Sequence, residues 1–358
     1  MGSKVYFIEA SINDGQELIS DKAVRLFKAG GFSDCFQEND FTAVKVHIGE
    51  GGNTTYIKAL YIKGLVAELL ALKTKPFITD TSTLYVGRRH NAIDHAILAE
   101  EHGFCPDVLG IPFISPDGLF GTAETSIKIN GQLNKDVSIA SDIVRSQSIL
   151  SVAHFTGHII TCAAGTIKTL GMGCASRKGK MRQHASLKPS ISDDCRRCGE
   201  CVKYCPEGAI TLDDIKAHID KDKCIGCAEC VAVCRFGAVK YDWGAESQQI
   251  QKNIAEHALG ALNGKKNKAV FFNYIISVTK DCDCFKTPDM PKMVDDIGIA
   301  ASTDPVAVDK AAIDMVEKKT GEKLGELLEN NKLNPFWQIN HAEQIGLGRT
   351  KYELIELN

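Results

Sequence analysis

The stretch AVKVHIGEGGNTTYIKALYIKGLVAELLALKTKPFIT, residues 43–79, decides the fold. Ala43 to Ile48 reads as a strand, Tyr56 to Leu72 as a helix and Pro76 to Thr79 as a second strand. A strand, helix and strand in succession build a parallel sheet with its helices on the faces. The same alternation extends to either side. Lys4 to Glu9 and Ser148 to Ala153 read as strands, and Gln16 to Ala29 and Ala92 to His102 as helices. Beyond residue 243, a helix over Glu246 to Leu262, strands near Ala269 to Val278 and Ile297 to Ala300, and a helix over Pro305 to Lys318 resume the pattern. The expected class is therefore α/β, with a mostly parallel open-sheet body. Asn130-Gly131 between Ser126-Ile129 and Gln132-Leu133 predicts a tight hairpin added to it.

The pattern breaks after Leu187-Lys188-Pro189, where cysteine dominates, and returns after Tyr241-Asp242-Trp243. Residues 188–243 thus read as an inserted α+β ferredoxin-like domain between a first (1–187) and a second (244–358) part of the body. Cys195, Cys198, Cys201 and Cys205 are followed by Pro206, and Cys224, Cys227, Cys230 and Cys234 repeat the spacing. This is the bacterial two-cluster ferredoxin run, in which the fourth cysteine of each run ligates the other cluster. One 4Fe-4S cluster is expected on Cys195, Cys198, Cys201 and Cys234, the other on Cys224, Cys227, Cys230 and Cys205. Gly199 and Gly226 allow close backbone approach. Soft thiolates suit iron and sulfide, although Cys-x-x-Cys pairs also serve zinc. Ala209–Leu212 and Ala238–Tyr241 fit the strands of a duplicated half-module, and Arg235 stands where a second proline is expected. The implied work is low-potential electron transfer.

Of 358 residues, 14 are cysteine, and the formal charge is −3. That charge gives no basic field of the kind that drives nucleic-acid binding, and the short basic run near Arg177 lacks interleaved aromatics. The first residues lack the apolar core of a signal peptide, and no run approaches a membrane span. Clustered cysteines in such a chain point to a reducing cytoplasm.

Four loops could form a site in the body. Gly49 to Thr55 follows a strand, which makes Gly51, Gly52, Asn53 and Thr54 candidates for phosphate or carboxylate, or simply for a turn. Thr79 to Thr83 lies at a strand's carboxyl edge, where α/β sheets bind ligands. His154 and His158 could hold metal or shuttle protons, or be structural. The glycine-threaded basic loop after them offers Lys168, Gly171, Gly173 and Lys180 to an anion such as the phosphate of a flavin mononucleotide. Cys282 and Cys284, with Cys174, could be a dithiol, a further metal site or inert buried residues.

The strings HFTGH (154–158), KTLGMGCASRKGK (168–180), CDC (282–284) and DPVAVD (304–309), with Asp295-Asp296-Ile297-Gly298, carry a resemblance. The chain resembles an uncharacterised iron-sulfur-centre family, a domain of unknown function of anaerobic bacteria and archaea with a ferredoxin insert. The resemblance implies a redox context and names no reaction. Two functions follow as expectations. One is an oxidoreductase passing electrons between the clusters and a cofactor or substrate in the body, with a redox protein or a small acceptor as partner. The other is a non-catalytic carrier or metal-handling protein using Cys174, Cys282 and Cys284. Oligomeric state is not legible in the sequence.

Overall fold

A computed structural model describes residues 2–85, 87–184, 188–224, 230, 234, 236, 238–240 and 243–358, with backbone alone over 243–246. Eight strands form one sheet: β1 (Ser3–Glu9), β2 (Phe41–Val46), β3 (Lys75–Thr79), β4 (Phe113–Ile114), β5 (Ser148–His154), β6 (Ala269–Ile275), β7 (Gly298–Ser302) and β8 (Tyr352–Leu357). Their order is β8-β1-β7-β6-β5-β2-β3-β4. All neighbours are parallel except β7, which is antiparallel to both β1 and β6. The mostly parallel body is as the alternation requires.

Side-chain alternation divides the central strands between two cores. Ala43, Ile149 and Phe271 face one layer of helices, and Val44, Leu150 and Phe272 face the other. Burial on both faces is why these strands read as nearly continuous apolar runs. The first layer holds α4 (Thr166–Gly171), α6 (Trp243–Ala261) and α7 (Pro305–Thr320); the second holds α1 (Gly15–Ala29), α2 (Ala59–Ala71) and α3 (Ala92–Glu101). A further helix, α5 (Arg177–His184), packs on α6.

Chain direction reverses between β2 and β5. From β2 the chain crosses by α2 to β3 and by α3 to β4; from β5 it crosses by the other layer to β6. Such a switch point opens a crevice outside the carboxyl ends of the strands.

The expected two-residue hairpin is wider than the Asn130-Gly131 pair suggests. Glu124–Lys128 pairs with Asp136–Ala140, which leaves residues 129–135 as the connection. Its conformation is set from a distance: buried Glu256 on α6 accepts the N–H groups of Gln132, Leu133 and Asn134 at 2.7–2.8 Å, and His341 Nε2 donates at 3.1 Å. Burial pushes this carboxyl up, but His341 and the loop N–H groups more than offset it and leave it at about 2. Its contribution to stability is complete above the unfolded carboxyl value of 4.5 and disappears as pH falls from there toward about 2. The full effect is on the order of 3 kcal/mol. In urea denaturation, Glu256→Gln should therefore be clearly weaker than wild type at pH 7 and nearly equal to it at pH 2. A constant gap would show that the carboxylate does not set the acid limb.

In the insert, Ile210–Leu212 forms a hairpin with Ala217–Ile219, and Val239–Lys240 pairs with Ser190–Ile191. The two expected strands therefore belong to separate small sheets, one of them closing the ends of the segment. Tyr241 lies outside the described residues. Ile210, Ala217, Cys230 and Val239 form a small apolar cluster of their own, edged by Cys195, Cys201, Cys205 and Cys234.

Candidate functional site

Four parallel strands deliver side chains to the crevice. Lys45 lies within β2 and His47 just beyond it, Asp80 follows β3, His154 ends β5, and Cys282-Asp283-Cys284 follows β6. Lys168 on α4 and Lys180 and His184 on α5 complete the wall of a cavity of about 280 Å³.

Asp80 is the electrostatic centre of its floor. Lys45 Nζ donates to Oδ1 at 2.9 Å and Arg89 Nη1 to Oδ2 at 3.3 Å, with all three side chains no more than 4% exposed. Burial would raise this carboxyl, yet Lys45, with His95, His47 and Arg89 nearby, holds it well below the usual range. Arg89 also donates to Glu50 Oε2 at 3.2 Å and to the Tyr85 hydroxyl. A buried guanidinium shared by two carboxylates is fixed in place, because any move would strand a charge.

Cys284 lies against this group. Gly49 N–H donates to His47 Nδ1 at 3.1 Å, and His47 Nε2 lies 3.2 Å from Cys284 Sγ. Arg89 Nη1 is 3.0 Å from the same nitrogen and adds positive charge. The hydrogen bond from the Cys282 thiol, aided by His47 and Arg89, holds the half-buried Cys284 well below the usual thiol range despite burial. Cys282, buried and donating to that thiolate, is held well above it. The two thiols are thus shifted in opposite directions.

His154 serves as a strut. Its Nε2 donates to Ile276 O at 2.9 Å and its Nδ1 to Asp283 Oδ2 at 2.8 Å. Burial pushes the ring down, but Asp283 outweighs it and raises its affinity for the second proton. With both ring protons engaged, His154 fastens the end of β5 to the CDC segment. His158 accepts from Ile160 and Thr161 N–H groups through Nδ1, and burial with the nearby Lys168 keeps it neutral, well below the ordinary value. The two histidines do not converge on one metal position, and among the described residues, the cysteines of the insert included, no group of three or more His, Cys, Asp or Glu is arranged to hold a single metal ion.

The anion loops have other occupants. Glu50 Oε1 accepts from Gly51 N–H, Asn53 Oδ1 from Thr55 and Tyr56 N–H, and Thr54 Oγ1 pairs with Asp289. Asn53 Nδ2 donates to Phe285 O, Thr55 Oγ1 to Asp283 Oδ1 and Glu50 N–H to Asp283 O, so the loop clamps the CDC segment. It does not open a helix directly, since α2 starts at Ala59. Gly52, at φ +91°, serves the turn. A Cβ on Gly171 would lie 2.1 Å from Ile254 O, and one on Gly173 would lie 2.3 Å from Thr169 O and 2.9 Å from Lys45 Nζ. These glycines admit neighbouring protein atoms, where the sequence suggested backbone approach to phosphate. Lys180 Nζ donates to Ala175 O and Thr81 Oγ1, and burial lowers it to about 8. Lys168, by contrast, lines the cavity with no acceptor among the described residues. Cys174 is fully buried, its thiol raised to about 11 by burial, and it stands apart from the cavity lining that holds Cys282 and Cys284. The DPVAVD string is structural: Asp304 caps α7, and Asp309 accepts from Thr166 and Ile167 N–H to cap α4.

His47, Arg89 and Tyr85 escaped the sequence reading. Only the place of His47, one residue past an apolar strand, could have marked it.

Within the insert, Cys195, Cys198 and Cys201 of the first run share one hollow with Cys234 of the second. Burial, then the neighbouring Cys195 and Cys198, raises the Cys201 thiol, and Cys234 adds to this. Gly199 adopts φ +77° beside the hollow. Cys205 Sγ accepts Ala209 N–H and Cys234 Sγ accepts Ala238 N–H, each at 3.3 Å, so the two runs share one N–H to sulfur contact. Cys224 and Cys230 are described; Cys227, Gly226 and Arg235 lie outside the described residues.

No helix among the described residues is long and apolar enough to cross a membrane. No curated protein matches the chain. Among solved structures, it is similar to the lactate racemase apoprotein of Thermoanaerobacterium thermosaccharolyticum, with TM-score 0.39, 10% identity, and 76% of this chain and 50% of that one covered. A Thermotoga maritima protein gives TM-score 0.43 and 12% identity, over 86% of this chain and 59% of that one. The chain thus spans between half and three-fifths of these structures. One family matches over residues 42–314, through both parts of the body and the insert between them, and the chain belongs to it: the domain of unknown function DUF362.

Proposed function

We propose that this chain is an iron-sulfur oxidoreductase, in which two 4Fe-4S clusters in the insert exchange electrons with a small molecule in the crevice of the sheet. The observation that carries the reading is the shared hollow of Cys195, Cys198, Cys201 and Cys234, because it crosses the two runs as a two-cluster ferredoxin requires. Backbone N–H groups on the Cys205 and Cys234 sulfurs fit thiolate ligands. The partner cluster would take Cys224, Cys227, Cys230 and Cys205. When bound, the clusters supply one-electron transfer.

Coupling to the body is supported by the stem of the insert. The segment leaves α5 and returns into α6, two helices packed on each other, and Lys180, His184, Ile250 and Ile254 of those helices line the cavity. Only roughly 10 Å of helical rise separates Trp243 from Ile250. The cavity's own residues offer a cysteine pair and fixed charges to whatever binds there.

Anaerobically purified protein should carry about eight irons and eight acid-labile sulfides per chain. Zinc in their place would overturn the reading.

A further inference from the structure

We propose that Cys282 and Cys284 form a redox-active dithiol that reduces a small anionic disulfide, with Cys284 attacking, Cys282 resolving and Lys168 holding the substrate's negative charge. The inference deepens the oxidoreductase reading and rests on it for the supply of electrons.

The two sulfurs occupy unequal positions suited to unequal roles. Cys284 is half-buried and lines the cavity beside His47 Nε2, whereas Cys282, on the same lining, is only 5% exposed. The CDC backbone is held from both sides, by Glu50 N–H on Asp283 O and by His154 and Thr55 on the Asp283 carboxylate. Lysine 45 and Arg89 are engaged by buried carboxylates, which leaves Lys168 as the lining cation without an acceptor among the described residues. It is near enough to act on the charge of Cys282. A cysteine pair and an unmatched ammonium on one cavity lining suit a substrate carrying both a disulfide and a carboxylate.

The chemistry balances as follows. Cys284 thiolate attacks one sulfur of R–S–S–R′, the S–S bond breaks, and R′–S⁻ leaves and takes the proton of Cys282. The Cys282 thiolate then attacks Cys284 Sγ in the mixed disulfide, and R–S⁻ leaves. The new Cys282–Cys284 disulfide returns to thiol and thiolate on receiving two electrons and one proton. Two reduced clusters held by the insert, each giving one electron, would supply that pair.

The test uses iron-replete, thiol-reduced full-length protein and dithiobis(nitrobenzoate), a dianionic disulfide, with cationic cystamine for comparison. Peptide mapping should find a Cys282–Cys284 disulfide after the fast phase, with about two nitrothiobenzoates released and none retained on either residue. Cys282→Ser should instead trap the adduct on Cys284. Labelling of Cys284 should be at least ~10-fold faster than that of Cys105 at pH 6. With each rate divided by that of free glutathione with the same probe, Cys284 should favour the anionic probe over cystamine, and Lys168→Gln should abolish that preference while iron content is unchanged. A stable adduct on Cys284 in wild-type protein, or equal normalised rates for both probes, would overturn the proposal. Reduced clusters that a preformed Cys282–Cys284 disulfide fails to re-oxidise would sink the electron-supply reading alone.

Discussion

Changing Cys234 to Ser should leave protein with about four irons and destroy the cluster of the first cysteine run, although Cys234 belongs to the second. Cys205→Ser should do the reverse. The expectation comes from the fold of the insert, in which Cys234 joins Cys195, Cys198 and Cys201 around one hollow. A serine hydroxyl is a harder ligand than a thiolate and is not deprotonated at neutral pH, so the fourth iron loses its anchor. Iron and sulfide counts with electron paramagnetic resonance of the reduced protein distinguish the two variants. If Cys234→Ser spares the first-run cluster, each run keeps its own fourth ligand and the crossed arrangement fails.

The second large effect is expected far from the insert. Asp80→Asn should cost about 3–5 kcal/mol in chemical denaturation, because it leaves Lys45 and Arg89 buried with half their counter-charge removed. Glu50 still faces Arg89, so Lys45 is the charge left most exposed to the loss. Adding Lys45→Met to Asp80→Asn should recover much of the stability, since the stranded ammonium is gone and an apolar chain of similar length fills its place. The insert has its own apolar cluster, so iron content should not change in either variant. A loss below about 1 kcal/mol would mean that water reaches the floor of the cavity and screens these charges.

How much of this was legible followed the reach of each signal. The β2–α2–β3 unit was readable because its periodicities are local. Tyr352–Leu357 went unread: an edge strand with alternating exposure and two glutamates carries no continuous apolar run. The wide connection at 129–135 depends on Glu256, more than a hundred residues away in the chain. Gly171 and Gly173 looked like a backbone cradle, since nothing nearby in sequence announces Ile254 or Lys45. The crevice itself could be placed at the strand ends, and Asp80 stood at such an end. Yet the contact of Arg89 with His47 joins two loops that only the parallel pairing of β2 and β3 brings together.

The antiparallel pairing of Ser190–Ile191 with Val239–Lys240 gives the insert a neck. Chain enters and leaves side by side, about 5 Å apart, so the body experiences some fifty residues as if they were a short loop. A cassette mounted in this way is exchangeable in principle. A shorter, longer or differently liganded module with the same neck would sit on the same two helices without disturbing the sheet. Evolution could thus exchange the cysteine module independently of the pocket, and an engineer could do the same by grafting at the neck.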